Sequence, residues 1–500
     1  MTALFPGPLL DALAATPERV AIEHGDRTVT GAELVATVGR LTMALADAGL
    51  GPGRGLALHT AVTPEAFAAH LAAHALGCRV VGVRPGWTQG QLGHVLARDV
   101  DAVVIDPATG AGEGDRPVRL SLGPVPGARD LLATAAGSAG PVTVQARPDD
   151  VARLNFTSGS TGRPRACARS YRTFSLAYRP DRWSPGLRRF VGQGETFLIY
   201  GSLAMPVMLT FAGRTLLTGG TVAIAGDDVR DALAPAIARH QATRVALTPP
   251  SLQVLLDRLK AEALDVSCLR GVMVTGSPAG PGMLAAAVVR LGPVVWQGYG
   301  QAESGMISLL TPDDILRHGH AALTSVGRVL PDVELRQAGD GEIWVRSEHV
   351  MVGYWGDPAA TAEVLRDGWL RTRDVGAIDL ATGLLHITGR ARDVILVNAE
   401  VCYAGAIEGV LLSHPLVSAA YAVGVPDART GEAIHAFVVP SGDAAPDPED
   451  LKRLVQAELT ANHVPQSVIV VRDVPLAASG KPDKRALSDH VARPPVTPEI

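Results

Sequence analysis

The chain has 500 residues, of which 47% are hydrophobic, with a mean hydropathy of +0.18 and a formal net charge of −5. This length exceeds what a single hydrophobic core usually supports, and the interspersed charges exclude a basic nucleic-acid-binding surface. The four scattered cysteines exclude a disulfide framework and a cysteine zinc site. Because the N-terminus also lacks the basic residues of a signal peptide, we expect a multidomain cytoplasmic protein with reduced thiols.

The first 150 residues alternate between strand-like and helix-like segments. Strand patterns at 20–22 and 28–30 flank a short turn and predict a hairpin, and apolar residues at helical spacing predict a helix from 33 to 48. Strand–helix units follow at 56–58 with 64–76, at 80–83 with 89–98, and at a strand at 103–105. This alternation predicts layered α/β sheets, whereas residues 110–140 are rich in Gly, Ala and Pro and predict an irregular, exposed connection.

A loop rich in hydroxyl residues and glycines follows a strand predicted at 151–156. Its sequence is Thr157-Ser158-Gly159-Ser160-Thr161-Gly162-Arg163-Pro164-Arg165, and the segment after it has helical character. The glycines allow backbone N–H groups to point at one anion, and the arginines add positive charge. The loop lacks the Gly-Lys-Ser/Thr of a common P-loop. It predicts a polyphosphate site, and the alternative is a surface turn that binds nothing.

The same α/β pattern continues after the loop. Strands are predicted at 221–224, 244–247 and 272–274, and a helix at 251–260. The turns at 248–250 and 275–278 are pocket candidates, because ligands of open α/β sheets bind at the carboxyl ends of strands. The uncharged stretch 196–213 is long enough for a membrane span, but Gly201, Ser202 and Pro206 interrupt it. We therefore expect a buried helix or pocket wall there.

Short strands and turns dominate from about residue 325. Strands at 333–335, 342–345 and 384–387 predict a small β subdomain. Beyond residue 390, strands at 419–425, 433–439 and 468–471 and a helix at 447–462 predict a compact α/β unit. The composition changes at Gly389-Arg390-Ala391-Arg392-Asp393, which we interpret as a hinge.

Three further segments contain residues suited to nucleotide chemistry. Tyr299-Gly300-Gln301-Ala302-Glu303 follows a strand at 294–296 and a turn at Gln297-Gly298. Its aromatic ring suits a base and its carboxylate suits Mg²⁺; alternatively, Tyr299 packs in the core and Glu303 starts a helix. Asp374 is suited to a ribose diol, or to a helix cap or turn. Lys481 lies on a Gly/Ser-rich loop, where a lysine is ordinarily solvated.

In this order and spacing, the motifs resemble the adenylate-forming superfamily: acyl- and aryl-CoA synthetases, stand-alone adenylation domains and luciferases. The resemblance covers nearly the whole chain. The matching segments are 157–165 (T-S-G-[ST]-T-G-x-P-[KR]), 299–303 (Y-G-x-[TA]-E), 341–345 (G-E-I-W-V) with Gly353-Tyr354-Trp355, Asp374, Gly389-Arg390-x-x-Asp393 and Ser479-Gly480-Lys481.

The resemblance implies an α/β fold with three parts. Residues 1–389 would form a large AMP-binding domain of layered sheets with a β subdomain, 390–393 a hinge, and 394–500 a small mobile α+β lid domain. It also implies ATP-dependent adenylation of a carboxylic acid, giving acyl-AMP and pyrophosphate, and then transfer to a thiol. The implied cofactors and co-substrates are ATP, Mg²⁺ and the thiol of CoA or phosphopantetheine.

The same resemblance assigns roles to residues. The 157–165 loop would hold the β- and γ-phosphates, Glu303 would bind Mg²⁺, Tyr299 would stack on adenine and Asp374 would bind the ribose hydroxyls, with Arg390 nearby. A carboxylate must approach a negative α-phosphate, and a cation that bridges the two would neutralise the developing charge. Lys481 is the implied bridge, and rotation about Arg392 would exchange it for a thiol tunnel.

The predicted catalytic residues are accordingly Lys481, Glu303 and Arg390, with Glu303 as the metal ligand. The predicted nucleotide contacts are Thr157, Ser158, Gly159, Ser160, Thr161, Gly162, Arg165, Gly276, Ser277, Gln297, Gly298, Tyr299, Gly300, Ala302, Asp374, Arg390 and Arg392. The predicted pocket for the acid consists of Tyr200, Gly201, Ser202, Met205, Pro249, Gly276 and Gly298.

The sequence departs from the family pattern at several positions. Arg165 and Arg373 stand where Lys and Gly are usual, Ala302 replaces a Thr, and Asn398-Ala399 replaces a frequent Gly-Gly pair. The Phe-Asp-x-Ser that anchors an amino-acid substrate is missing near Phe197. The absence of that motif disfavours an amino acid as the substrate, and the small apolar pocket residues favour an aryl or small acyl acid.

The acceptor of the acyl group stays open. CoA is the expected acceptor, and the alternatives are a separate carrier protein, an amine or another nucleophile, as in specialised biosynthesis. A further alternative is a non-catalytic nucleotide-binding relative, which Ala302 supports and Glu303, Asp374 and Lys481 oppose. The expected partners are therefore a small carboxylic acid, ATP, and CoA or a carrier protein, with no nucleic acid and no transmembrane segment.

Overall fold

A computed structural model describes residues 3–83, 87, 89–97, 99–109, 118–134, 142–157, 165–225, 233–262, 264–339, 341–390, 393–398, 400–427, 429–442, 444–476 and 482–492. They belong to two compact units. The first unit lies within Met1–Met273, Gly300–Met306 and Ser347–Arg366, and the second within Val274–Tyr299, Ile307–Arg346 and Asp367–Ile500. The predicted domain boundaries at 389 and 394 stay predictions.

The strands, in chain order, are β1 (Val20–His24), β2 (Arg27–Thr30), β3 (Gly55–Leu58), β4 (Arg79–Gly82), β5 (Ala102–Ile105), β6 (Val118–Ser121), β7 (Arg129–Asp130), β8 (Val151–Thr157), β9 (Arg165–Ser170), β10 (Thr196–Ile199), β11 (Thr221–Ile224), β12 (Arg244–Leu247), β13 (Gly271–Thr275), β14 (Val295–Gln301), β15 (Gly305–Leu310), β16 (Arg328–Val329), β17 (Glu334–Gln337), β18 (Glu342–Arg346), β19 (Gly353–Tyr354), β20 (Leu365–Arg366), β21 (Trp369–Ile378), β22 (Leu385–Arg390), β23 (Val394–Val397), β24 (Glu400–Tyr403), β25 (Val417–Asp427), β26 (Gly431–Pro440) and β27 (Ser467–Val470).

The α-helices are α1 (Gly7–Ala14), α2 (Gly31–Asp47), α3 (Pro64–Ala75), α4 (Gln89–Leu96), α5 (Leu131–Thr134), α6 (Tyr171–Leu176), α7 (Pro185–Val191), α8 (Pro206–Leu217), α9 (Leu233–Arg239), α10 (Pro249–Ala261), α11 (Pro281–Leu291), α12 (Pro312–His318), α13 (His320–Leu323), α14 (Pro358–Val364), α15 (Ala404–Leu412), α16 (Pro448–Glu458) and α17 (Lys484–Ala492). Within the described ranges, none of them is long and apolar enough to cross a membrane.

The first unit contains two sheets built mainly from parallel strands. In one, β2, β1, β11, β10 and β12 lie side by side, with β2 antiparallel to β1 and the other pairs parallel. The other has the order β19-β9-β8-β4-β3-β5-β6-β7, in which β9 is antiparallel to both β8 and β19. The buried strands read as continuous apolar runs, as expected for parallel sheets covered on both faces.

The second unit contains two antiparallel arrangements. Strands β17, β18, β21 and β22 pair in that order, which confirms the predicted β subdomain. Strands β24, β23, β26 and β25 form the other sheet, to which β27 adds in parallel along β26. Helices α15 and α16 cover this sheet through buried Ile407, Leu411, Leu451 and Val455.

Several local predictions are wrong, and the first three are wrong because strand pairing overrode local composition. The segment after the 157–165 loop is the strand β9, not a helix, because it pairs along β8. Residues 110–140 include β6, whose Leu120 is buried where β6 extends the sheet beside β5. The turn expected at Gln297-Gly298 lies inside β14. Pro249 and Pro250 form the first turn of α10 behind the N-cap Thr248, where proline loses no hydrogen bond.

Candidate functional site

The predicted phosphate loop connects two neighbouring strands. Thr157, the last residue of β8, is the backbone partner of Arg165, the first residue of β9. The two ends of the loop are therefore adjacent to each other in the sheet. The predicted contacts Ser158, Gly159, Ser160, Thr161 and Gly162 lie outside the described residues, as does the side chain of Thr157.

Glu303 lies in the tight turn between β14 and β15, so it does not start a helix. Met351 donates its backbone N–H to the Glu303 carbonyl at 2.7 Å, and the Arg169 guanidinium donates to the Ala302 carbonyl at 2.8 Å. Glycine is required at position 300, near the end of β14, because a Cβ there would lie 2.0 Å from the Gly305 carbonyl oxygen. The backbone that presents Glu303 is thus fixed from several sides.

The Glu303 carboxylate has its own neighbours in the first unit. The Tyr354 hydroxyl donates to Glu303 Oε1 at 2.9 Å, and the Arg165 guanidinium lies over the Tyr354 ring at 5.4 Å from its centroid. The buried Cys167 thiol interacts with the Glu303 carboxylate. Burial, and then the negative charge of Glu303, raise the pKa of the Cys167 thiol well above its ordinary value. The thiol therefore stays protonated beside the carboxylate.

In the second unit, Tyr299, Asp374 and Arg390 meet. The Tyr299 hydroxyl donates to Asp374 Oδ2 at 2.6 Å, and Arg390 Nε donates to Asp374 Oδ1 at 3.1 Å. Asp374 on β21 is the backbone partner of Arg390 on β22, and only 4% of Asp374 is exposed. Burial, and next the charge of Asp374, raise the pKa of the Tyr299 phenol well above its usual value, so the phenol remains a donor.

The predicted contacts that follow β13, together with Gln297 and Gly298 on β14, also lie in the second unit. Gly276 follows β13 with φ of +98° and Ser277 is next, while the Thr275 hydroxyl donates to the Gly298 carbonyl on β14 at 2.9 Å. Gln297 is buried, and its side-chain N–H donates to the Ser325 carbonyl at 3.2 Å. Its Oε1 atom has no hydrogen-bond partner among the described residues. A buried acceptor of this kind suits an amino group of a ligand.

The other pocket residues lie in the first unit, at the carboxyl ends of two neighbouring parallel strands. Tyr200, Gly201, Ser202 and Met205 follow β10, and Met205 precedes α8. Pro249 starts α10 directly after β12, the strand that pairs with β10. This placement agrees with the rule that ligands of open α/β sheets bind at the carboxyl ends of strands.

Two models of known families match the chain. The model of the AMP-binding enzyme matches residues 9–355, and the model of the AMP-binding enzyme C-terminal domain matches residues 406–481. The chain belongs to the AMP-binding enzyme family. The predicted resemblance is thereby confirmed. Similar solved structures confirm the α/β fold, and relatives named as ligases confirm the ligase class, so the protein is an adenylate-forming ligase.

Individual AMP-binding enzymes are similar over almost the full chain. The amide bond synthetase McbA of Marinactinospora thermotolerans is 39% identical, with a TM-score of 0.87 over 97% of this chain and 99% of that one. The feruloyl-CoA synthase of an Amycolatopsis species is 30% identical over 93% of this chain and 94% of that protein. ATP-bound MatB of Rhodopseudomonas palustris is 26% identical, with a TM-score of 0.81 over 97% of this chain and 98% of that one. The adenylate-forming enzymes among the solved structures have a large N-terminal and a small C-terminal domain, and the chain shares that fold.

The resemblance assigns Arg392 to the hinge and Lys481 to the lid domain. Both residues lie outside the described residues. Their neighbours are described. The Lys484 ammonium contacts Glu408 Oε1 at 2.7 Å and Asp393 Oδ2 at 3.1 Å. Leu476 and Pro482 form an isolated β-bridge, so the segment that carries Lys481 starts and ends at one point.

Several residues around the predicted site were not assigned a role from the sequence. Tyr354 belongs to the motif Gly353-Tyr354-Trp355, which the sequence shares with the family and which could have indicated that Tyr354 has a role in the site. Glu342 likewise lies in a shared block. Arg169 and Lys484 had no recognisable signal, because their partners lie 133 and 91 residues away along the chain.

Proposed function

We propose that this ligase activates an aryl or small acyl carboxylic acid with ATP and then transfers the acyl group to an amine, forming an amide. The observation that supports the nucleotide step is the cluster of Tyr299, Asp374 and Arg390. An almost completely buried carboxylate held by a phenol and a guanidinium is an acceptor group fixed in position, which suits the two hydroxyls of a ribose.

The remaining nucleoside contacts would come from the same unit. Gln297 Oε1 is a buried acceptor, and we propose that it accepts a hydrogen bond from the adenine amino group. Tyr299 would stack on the base while its hydroxyl stays on Asp374. The backbone at Gly276 and Ser277 would allow the nucleotide to approach closely, since Gly276 has no side chain to block it.

Glu303 suits Mg²⁺, because this ion commonly takes one or two protein carboxylates and fills its other positions with substrate phosphates and water. In the described parts of the chain, no group of three or more His, Cys, Asp or Glu side chains could hold a metal ion without such a substrate. When bound, Mg²⁺ would neutralise charge on the phosphates of ATP. Tyr354 would orient the carboxylate through its hydrogen bond to Oε1.

Two bond exchanges would follow. In the first, a carboxylate oxygen of the acid bonds to the α-phosphorus as the bond to the pyrophosphate oxygen breaks. In the second, the amine nitrogen bonds to the acyl carbon, the bond to the AMP oxygen breaks, and the nitrogen loses a proton to solvent. Lys481 would stabilise the first exchange, because its ammonium group can bridge two mutually repelling anions.

The choice of an amine acceptor rests on similarity and on one local feature. The match to the amide bond synthetase McbA, at 39% identity, exceeds the 30% identity to feruloyl-CoA synthase. Asn398 has φ of +51° and donates from its side chain to Asn462 Oδ1 at 2.9 Å. Asn398-Ala399 thus replaces the glycine pair that is frequent in thiol-acylating relatives, and Asn398 is hydrogen-bonded. This replacement would change the surface along which a thiol is expected to enter.

A CoA thiol is the second candidate acceptor. It is favoured by the similarity to feruloyl-CoA synthase over 93% of this chain. The two candidates share the adenylation step and differ only in the nucleophile. A carrier-protein thiol would belong to this second class.

The test measures the two steps separately. Pyrophosphate release is followed with ATP, Mg²⁺ and a panel of aryl and short acyl acids, and CoA or a panel of primary amines is then added and the products are identified by mass spectrometry. We expect acid-dependent pyrophosphate release and an amide product. A thioester without an amide would support the CoA candidate, and no acid-dependent release would support a non-catalytic relative.

One control is needed because acyl-adenylates react slowly with amines in solution. The same amines are mixed with a synthetic acyl-adenylate, with and without enzyme. An enzyme-catalysed reaction should saturate with amine concentration and exceed the rate without enzyme.

A further inference from the structure

The residue proposed to hold the ribose lies in an irregular stretch of β21. Glu342 of β18 pairs with Val375 of β21, while Trp344 pairs with Arg371. Ile343 of β18 is therefore opposite three residues of β21, which are Thr372, Arg373 and Asp374. Such a bulge redirects a side chain that a regular strand would place elsewhere, and bulges are frequent beside active sites. Asp374 is the last residue of this bulge.

The bulge contains a backbone conformation that disfavours its residue. Arg373 has φ of +61°, in the left-handed region that is unfavourable for a residue with a side chain. The resemblance places a glycine at this position, which would adopt the same conformation without that cost. Because this chain has an arginine there, other contacts must hold the bulge.

Glu342 provides those contacts. It is only 1% exposed, and its Oε1 accepts the backbone N–H of Arg373 at 3.0 Å. Its Oε2 accepts Nε and Nη2 of Arg371 at 3.1 and 2.7 Å. A buried carboxylate needs such partners, since an unpaired buried charge is strongly destabilising. The Glu342 side chain thus holds both Arg371 and Arg373, the two neighbours of Thr372 in the chain.

A second set of hydrogen bonds transmits this arrangement to Asp374. The Thr372 hydroxyl donates to the Ile343 carbonyl at 2.6 Å and accepts the Asp374 backbone N–H at 3.1 Å. The orientation of the Asp374 carboxylate toward Tyr299 therefore depends on the backbone that Glu342 holds.

We propose that Glu342 is a positioning residue for Asp374 and that it determines how strongly the enzyme recognises the ribose hydroxyls of ATP. This inference rests on the proposed function, specifically on the contact between Asp374 and the ribose. Glu342 itself does not touch the nucleotide in this proposal. Its effect passes through the backbone of Arg373.

The test compares ATP with 2′-deoxy-ATP and 3′-deoxy-ATP. The wild-type enzyme, Glu342→Gln and Asp374→Asn are assayed for the KM and kcat of acid-dependent pyrophosphate release with each nucleotide. Glu342→Gln keeps the shape of the side chain and removes its charge. We expect it to raise KM for ATP roughly tenfold, as for the loss of a hydrogen bond to a charged group, with kcat changing less. KM for the deoxynucleotides should change little, so the preference for ATP falls.

The outcomes separate this inference from the proposed function. If Asp374→Asn leaves the preference for ATP unchanged, the ribose contact itself is wrong. If Asp374→Asn abolishes the preference and Glu342→Gln retains it in full, Glu342 does not position Asp374. A purely structural role would affect all three nucleotides equally, and that result would also overturn the inference.

Two further variants keep the test decisive. Arg371→Lys removes the paired donation to Glu342 Oε2 but retains a positive charge, and it should lower the preference for ATP in the same direction by a smaller factor. The double variant Glu342→Gln/Arg373→Gly should regain part of the preference, because glycine adopts the positive φ without help. Absence of any recovery would show that Glu342 does not act through the bulge.

Discussion

Lys484 offers a sharp test of how the C-terminal part of the chain is held together. Its ammonium lies between Glu408 at 2.7 Å and Asp393 at 3.1 Å, and Glu408 Oε1 also accepts the Ala422 backbone N–H at 2.9 Å. Lys484→Met keeps most of the side-chain length and removes the charge. Two carboxylates then lose their shared partner.

The expected loss follows from the burial of the pair. Exposed ion pairs contribute about 0–1 kcal/mol, whereas loss of one partner of a fully buried pair costs about 3–5 kcal/mol. The side chains of Lys484 and Glu408 are 31% and 16% exposed, between these limits. We therefore expect a loss of about 2 kcal/mol in the free energy of local opening, equivalent to roughly 30-fold faster exchange.

Hydrogen exchange measured by mass spectrometry at pH 7 reports this loss locally, in peptides of α15 and α17. The matched control is Lys452→Met, since Lys452 pairs with the exposed Glu449 on α16 and its loss is expected to change exchange there by less than about threefold. If Lys484→Met changes exchange no more than this control, the ion pairs contribute nothing measurable and the reasoning from burial is refuted.

The pH dependence gives a second check. Burial alone would lower the pKa of Lys484, but the charges of Glu408 and Asp393 outweigh it and raise the pKa above its ordinary value. A raised pKa in the folded state contributes stability that is complete below the unfolded pKa of about 10.4 and is lost as pH rises through the folded pKa. The difference in melting temperature between wild type and Lys484→Met should therefore stay constant from pH 7 to 9 and shrink above about pH 10.4.

Three further predictions follow from the site. Lys481→Ala should abolish pyrophosphate release and spare acyl transfer from a supplied acyl-adenylate; an equal fall in both half-reactions would contradict its role. Gly300→Ala should lower the melting temperature and the adenylation rate, because its Cβ would meet the Gly305 carbonyl at 2.0 Å, and wild-type values for both would contradict that geometry. Cys167 should resist alkylation by iodoacetamide at pH 8 until the protein unfolds, because burial and Glu303 raise its pKa; labelling of the native protein, mapped by mass spectrometry, would refute this.

Tyr299 and the three predicted catalytic residues share one property: they belong to short motifs. Tyr299 and Glu303 are recognisable because the chemistry of a base and of a metal requires certain side chains within a few residues. The same motif could not reveal that Glu303 lies in a turn between two strands. That arrangement depends on contacts of the turn with Arg169 and Met351, which are far away in the chain.

The contact between Glu342 and Arg373 shows most clearly what could not be predicted from the sequence. The sequence marked Arg373 as a departure from a common glycine, but it gave no value of φ and no partner. Glu342 reaches the Arg373 backbone across 31 residues, and only the pairing of β18 with β21 brings them together. Local pattern carries no information about such a contact, because strand register is determined by the whole sheet.

By itself, then, the sequence determined the family, the α/β class and the residue types offered to the nucleotide, since periodicity and motifs are encoded over a few neighbouring residues. The tertiary structure alone decided which side chains contact each other: Asp374 with Tyr299 and Arg390, Glu303 with Tyr354, and Lys484 with Glu408. The physical reason is that these contacts join strands and helices distant in the chain, whose pairing depends on burial and register over the entire unit.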